Sequence, residues 1–278
     1  MLICPVCTSP LSRHTKTFEC PQRHTFDIAK EGYVNLLVSK KGVSRPEGDH
    51  REMLHARREV LGAGHFAFLQ SALFKMLEAA LAKDSDSLST ILDVGCGEGY
   101  YLGTFAAQQA AAGNLNQAYF GFDASKEAVR LAAKSHPGCT FFLADVFHSI
   151  PIATRSVSAI TVLFSPRNFQ EFARILKATG NILIAIPTPD HFKELREYFD
   201  LLKIEEEKEQ RLIESAAPYV VRESHIVEAQ PSLTAEQVHS LLTMSPNFRH
   251  TARMQALKPL PASIPTTLSV QLLRLSLP

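Results

Sequence analysis

No apolar run in this 278-residue chain approaches the roughly 18 residues a membrane span needs, and thiols stand near the start where a secretory leader would be apolar. No membrane partner and a cytoplasmic location are therefore expected. Cysteine is scarce: there are five, an odd count, with Cys96 and Cys139 far from the other three, which argues against a disulfide framework. Internal repeats and low-complexity tracts are absent, which sets aside solenoids and disordered tails. Net charge is nearly absent too, at +1, so no bulk field marks a polyanion binder. What is present is 45% hydrophobic content, enough for a sizeable core.

The three early cysteines belong to a pattern. Cys4, Cys7, Cys20 and His24 read C-x2-C-x12-C-x3-H, in which a C-x2-C turn offers two thiolates to one ion and Cys20 with His24 completes a tetrahedron for Zn2+. Pro5 and Pro21 bias the preceding cysteines towards extended-then-turn geometry. Four protein ligands leave no open position, so the role read here is structural, and loss of one ligand is expected to unfold this module alone. The charge is unevenly spread. Residues 1–45 hold seven Lys/Arg (Arg13, Lys16, Arg23, Lys30, Lys40, Lys41, Arg45) against Glu19, Asp27 and Glu31, an excess of +4 that leaves −3 for the rest. A basic zinc module suits phosphate binding by counterion displacement, and neutralising Lys40 and Lys41 is expected to flatten the salt dependence of activity. A merely solvated basic surface is the alternative. The Gly/Pro/Ser-rich stretch SKKGVSRPEGD reads as a linker, which divides the chain into a zinc-binding RNA-recognition module (1–38), a linker (39–50) and a larger domain (51–278).

In the larger domain a helical pattern from Arg51 is divided in two by Gly62 and Gly64. From Thr90 short apolar runs alternate with helix-like segments, the pattern of a parallel sheet covered on both faces. Strands are expected at Ile91–Val94, Ala118–Phe122, Thr140–Ala144, Ala159–Phe164 and Ile182–Ile186. A charged helix follows at Ile204–Leu212, then a helix after Thr234 and an alternating terminal antiparallel strand at Leu268–Leu275. The first strand opens into Asp93-Val94-Gly95-Cys96-Gly97-Glu98-Gly99, where missing Cβ atoms let backbone amides approach a ligand. A nicotinamide fingerprint would place glycine at Tyr100, so hydride chemistry is disfavoured. Asp123, ending the second strand, is placed to accept from ribose hydroxyls.

The D-x-G-x-G-x-G form resembles the first motif of class I, Rossmann-like S-adenosylmethionine-dependent methyltransferases. Asp145 and Val146 resemble the adenine-recognising pair of that fold, a loop acid in solvent being the rival reading. Further blocks in order, CPVC with CPQRH, FDIAKEGYVNLL, MLHARREVLGAGHF, LDVGCGEGYY and GFDASKEA, resemble the bacterial RlmA family of large-subunit rRNA guanine-N1 methyltransferases over residues 1 to about 200. The resemblance implies an α/β methyltransferase domain behind a small zinc domain, and methyl transfer to N1 of one guanosine in a 23S rRNA hairpin loop. It also implies cofactor contacts at Phe66, Gly97, Glu98 and His191.

Guanine N1 bears a proton, so attack needs a base or a cation near O6. Asp190 or His191 is the candidate base and Arg167 the O6 partner, all near strand ends, with Phe164 and Pro166 as a wall for a looped-out base. Three rivals stand beside this reading: a sister enzyme acting on a neighbouring guanosine and conferring macrolide resistance, a methyltransferase of small molecules or proteins, and a non-enzymatic RNA binder. A homodimer pooling two basic modules on one RNA is a further expectation.

Overall fold

The computed structural model describes residues 1–38, 49–82, 88–205, 207–249 and 254–278. Lys40, Lys41, Arg45 and all of the expected linker except Asp49 and His50 lie outside the described residues. In chain order the strands and helices are β1 (Ser12–Arg13), β2 (Thr17–Glu19), β3 (Thr25–Asp27), β4 (Val34–Asn35), α1 (Arg51–Gly62), α2 (Ala67–Leu81), β5 (Ser89–Val94), α3 (Tyr100–Ala111), β6 (Gln117–Asp123), α4 (Lys126–Ser135), β7 (Thr140–Leu143), β8 (Val157–Leu163), α5 (Phe169–Ile175), β9 (Leu176–Pro187), α6 (Lys208–Ser215), β10 (Val220–Ala229), β11 (Ser232–Leu233), α7 (Ala235–Thr243), β12 (Ile264–Pro265) and β13 (Leu268–Ser276).

All six residues of β5 are buried, as a central strand covered on both faces requires. The eight-stranded sheet runs β10-β13-β9-β8-β5-β6-β7-β4. Its members from β9 to β4 pair in parallel, and β13 lies antiparallel between β9 and β10. One face carries a core drawn from α1, α2, α3, α4 and α7, with Leu69, Leu73, Phe105 and Val129 at its centre. The opposite face buries Phe172, Ile175 and Leu212 of α5 and α6 together with Cys4, Leu11, Phe18 and Cys20 of the zinc module.

Two departures from the sequence pattern have physical causes. The charged helix begins at Lys208 and reaches Ser215, because its single buried anchor is Leu212. Glu205 and Glu207 instead pair with Arg211 at 2.7 and 3.3 Å ahead of the helix. The alternating tail does form a strand, but both of its faces are covered. Its inward polar residues find partners: Ser269 Oγ donates to Glu228 at 2.6 Å and accepts from Thr188 Oγ1 at 2.6 Å.

The zinc module is woven into the larger sheet. Val34 and Asn35 pair with Phe142 and Leu143 of β7, so β4 forms the sheet's edge. Ile3 N donates to Pro151 O at 3.0 Å and Ala153 N to Met1 O at 2.9 Å. The connection from β7 to β8 contains no helix, and the zinc module covers that face where a crossover helix would ordinarily lie. Among the described residues no single helix is long and apolar enough to cross a membrane.

Candidate functional site

Cys4, Cys7, Cys20 and His24 converge with their donor atoms all within 4.8 Å of one another. A tetrahedral zinc with Zn–S of about 2.3 Å and Zn–N of about 2.0 Å has donor–donor edges of roughly 3.5–3.8 Å. The separations observed fit: 3.5 Å for Cys4 Sγ to His24 Nδ1, 3.6 Å for Cys7 Sγ to Cys20 Sγ and 3.4 Å for Cys20 Sγ to His24 Nδ1. Two tight turns set this geometry. Thr8 N donates to Cys4 O and Arg23 N to Cys20 O, both at 2.8 Å, and Thr8 and Arg23 take positive φ of 61° and 65° to close the knuckles.

At the carboxyl end of β5 the chain turns through Gly95, Gly97 and Gly99 with φ of 66°, 55° and 79°, values that favour glycine. A Cβ on Gly95 would lie 2.5 Å from Ser165 Cβ, and one on Gly99 2.8 Å from Phe141 Cζ. Ser165 Oγ also donates to Val94 O at 2.6 Å, so the loop after β8 braces the loop after β5. Asp123, ending β6, accepts from Gly97 N at 3.0 Å and Ser125 N at 2.8 Å. A carboxylate has about four lone-pair sites, so capacity remains for two hydroxyl donors.

This crevice is lined by buried acids, Asp93 and Glu98 being 3% and 6% exposed. Burial pushes the Asp93 carboxyl up to about 7, against the lowering effect of the bond it accepts from Thr161 Oγ1 at 2.7 Å, and the nearby Asp123 adds to the rise. Asp123 and Glu98 are likewise raised, first of all by burial. Arg58 Nε lies 3.4 Å from Glu98 and only partly offsets the cost. Carboxylates held together out of water favour a ligand that carries positive charge, and the sulfonium and ammonium of S-adenosylmethionine meet that requirement.

Asp145 is 7% exposed and both oxygens are engaged, Oδ1 by Phe147 N and Oδ2 by His148 Nδ1, each at 2.9 Å. Phe147 next to it is 67% exposed. Phe66 and His191 sit together, with ring centroids 6.3 Å apart, and Phe164 lies edge-on to Phe66 at 6.4 Å. Phe164 and Phe192, just past β8 and β9, both hold left-handed backbone, φ 55° and 64°, unusual for bulky side chains. Asp190 is exposed and lies 3.7 Å from Lys193. Arg167 is half-buried and burial lowers its pKa. Burial also lowers His191 to about 4, so the ring is neutral at ordinary pH. Ser269 presents both N–H and carbonyl oxygen to His191 Nδ1 at 3.0 Å, but the carbonyl already accepts from Thr188 N at 3.1 Å. In the tautomer where Nδ1 accepts from Ser269 N, the proton of the neutral ring lies on Nε2.

Sequence reasoning missed Thr161 and Ser165, which act on the glycine loop from β8 and the residues after it, and Arg57, whose Nη1 would lie 3.0 Å from a Cβ on Gly97. No local pattern marks them, because each contact spans 40 or more residues by the numbering itself.

Comparison with known proteins agrees with this geometry. Residues 2–45 match the zinc-ribbon family described as RlmA, N-terminal, and residues 91–180 match a methyltransferase domain. A Streptomyces fradiae protein named 23S rRNA (guanine(748)-N(1))-methyltransferase is 35% identical over 218 residues, 78% of this chain and 74% of that protein. A Micromonospora griseorubida relative, provisionally named a 23S rRNA (guanine-N(1)-)-methyltransferase, is 32% identical over 274 residues, 92% of this chain and 90% of its own.

Proposed function

The chain belongs to the RlmA-type family of 23S rRNA (guanine-N1)-methyltransferases, and on that premise we propose that it methylates N1 of one guanosine in a hairpin loop of 23S rRNA. It is an S-adenosylmethionine-dependent enzyme with a structural zinc site. The observation that carries the reading is the meeting, at one end of the sheet, of the glycine loop braced by Asp123 with the Phe164–Arg167 segment.

S-adenosylmethionine supplies a methyl group on a sulfonium that is its own leaving group, so the protein's work is alignment and charge control. Asp123 takes the ribose hydroxyls while holding the Gly97 amide. Asp93 and Glu98 favour the cationic end, and the amides of Gly95 to Gly99 line the cradle. Phe66 and His191 close the cofactor pocket from the α2 and β9 sides, and Asp145 with the exposed Phe147 borders the adenine. On the acceptor side Phe164, 46% exposed and fixed in a left-handed turn, offers its ring to a looped-out guanine. Arg167 faces guanine O6 and stabilises the charge that develops as N1 loses its proton to Asp190.

Acting on ribosomal RNA, the enzyme works in the cytoplasm. A homodimer would bring two zinc modules to one RNA. The test is transfer of labelled methyl from S-adenosylmethionine to protein-free large-subunit rRNA, followed by nucleoside digestion and fragment mass mapping. 1-Methylguanosine confined to one hairpin supports the reading and separates neighbouring guanosines in it. Label in protein or small molecules, with bare RNA and ribosomal particles unlabelled, would overturn it.

A further inference from the structure

Arg167 and Lys208 approach the acceptor mouth from separate elements. Arg167 follows β8 just before α5, and Lys208 opens α6. Both helices pack on one core: Phe172 of α5, Leu212 of α6, and Ala216 and Tyr219 just after α6 are buried in it, and the Phe169 ring lies 6.3 Å from that of Tyr219. Both cations are half-buried, and among the described residues neither has a hydrogen-bond or ion-pair partner. Among the described residues, the acids at the α6 entry are committed elsewhere, Glu205 and Glu207 to Arg211 and Glu209 to Ser224.

Burial and the field of Arg167 both lower Lys208, with Glu205 opposing, and Lys208 in turn contributes to the lowering at His191. Geometry puts Lys208 and Arg167 at one end of the sheet: β10 starts at the amino end of β9, Val220 pairing with Ser276 and Ser276 with Asn181, so α6 runs down from the carboxyl end and its first residue, Lys208, lies at the end where Arg167 follows β8. Two like charges brought together partly out of water are unfavourable until an anion joins them. A guanidinium suits the planar edge of a base, whereas an ammonium acts as a point charge that matches a phosphate oxygen from many directions.

We propose that Lys208 is a phosphate anchor of the acceptor site, binding a backbone phosphate oxygen of the RNA strand beside the looped-out guanosine while Arg167 meets the base. The assignment rests on the rRNA methyltransferase reading above. Lys208 is thus a positioning residue: it seats the strand so that Phe164 and Arg167 reach the guanine. The zinc module lies on the same face of the sheet as α5 and α6.

The test uses the full-length enzyme, protein-free 23S rRNA, and the variants Lys208→Met and Lys208→Arg. RNA binding is measured across a salt series, and methyl transfer is measured at varied RNA. For Lys208→Met, the slope of log affinity against log salt becomes shallower by about one. KM for RNA rises, while kcat at saturating RNA and S-adenosylmethionine affinity stay at the parent's values. Lys208→Arg keeps the parent's slope. An unchanged slope in the methionine variant, or equal losses in both variants, overturns the anchor while transfer by the parent leaves the underlying reading standing. A parent that transfers no methyl group to this RNA overturns both.

Discussion

The backbone amide of Gly97 donates to Asp123 Oδ2 at 3.0 Å. This one bond fixes the glycine loop after β5 against the carboxyl end of β6, and it leaves the acid pointing into the crevice. Replacing Asp123 with Asn keeps the shape but removes the charged acceptor, and hydrogen bonds to charged groups contribute about 1.5–3 kcal/mol. S-adenosylmethionine affinity is expected to fall roughly 10- to 100-fold by calorimetry. Parental affinity would take Asp123 out of the ribose site.

Asp93 makes the cofactor site pH-dependent. Its carboxyl sits at about 7 in the fold against an ordinary 3.8, so between those values the folded protein holds a proton that the unfolded chain has released. Its contribution to stability is full at the acid end and declines as pH rises towards about 7. Cofactor affinity should move the other way, since a cationic ligand prefers the ionised acid. Titration calorimetry across that range should show tighter binding with rising pH, and Asp93→Asn should flatten the trend.

Gly95→Ala meets two costs, a φ of 66° and a Cβ 2.5 Å from Ser165. Left-handed backbone costs an alanine about 1–2 kcal/mol and overpacking about 1–3 kcal/mol. Denaturant unfolding should show a loss of roughly 2–5 kcal/mol by those figures. Adding Ser165→Gly should recover only the packing share. Full recovery would show that backbone strain is negligible there.

Zinc removal should act beyond the first 38 residues. Because β4 is an edge strand of the main sheet and Ile3 bonds Pro151, Cys20→Ser is expected to lower one shared unfolding transition. A cost of about 3 kcal/mol corresponds to roughly 6–12 °C in a chain of this order of size. Two separate calorimetric transitions, with the larger unmoved, would restore the independent module that the sequence suggests.

Asp190→Asn tests proton removal. Loss of a general base typically slows the chemical step by about 10²–10⁴-fold. Single-turnover transfer should therefore slow while S-adenosylmethionine affinity holds. Unchanged turnover would remove Asp190 from the mechanism.

By itself the sequence determined the elements whose signals are local. Ligand spacing places Cys4, Cys7, Cys20 and His24 around one ion, apolar runs give the parallel strands, and the glycines of the Asp93–Gly99 turn announce a cofactor cradle, because turn chemistry and periodicity act over a few residues. The tertiary structure alone decided how these parts meet. Val34 joining β7 depends on an edge left open 108 positions along the chain, at Phe142. Ser165 bracing Gly95, Thr161 bonding Asp93, and Lys208 and Arg167 lying at one end of the sheet depend on strand order and helix packing. These contacts depend on the sheet that burial of the two cores holds in place, so no stretch of sequence read alone contains them.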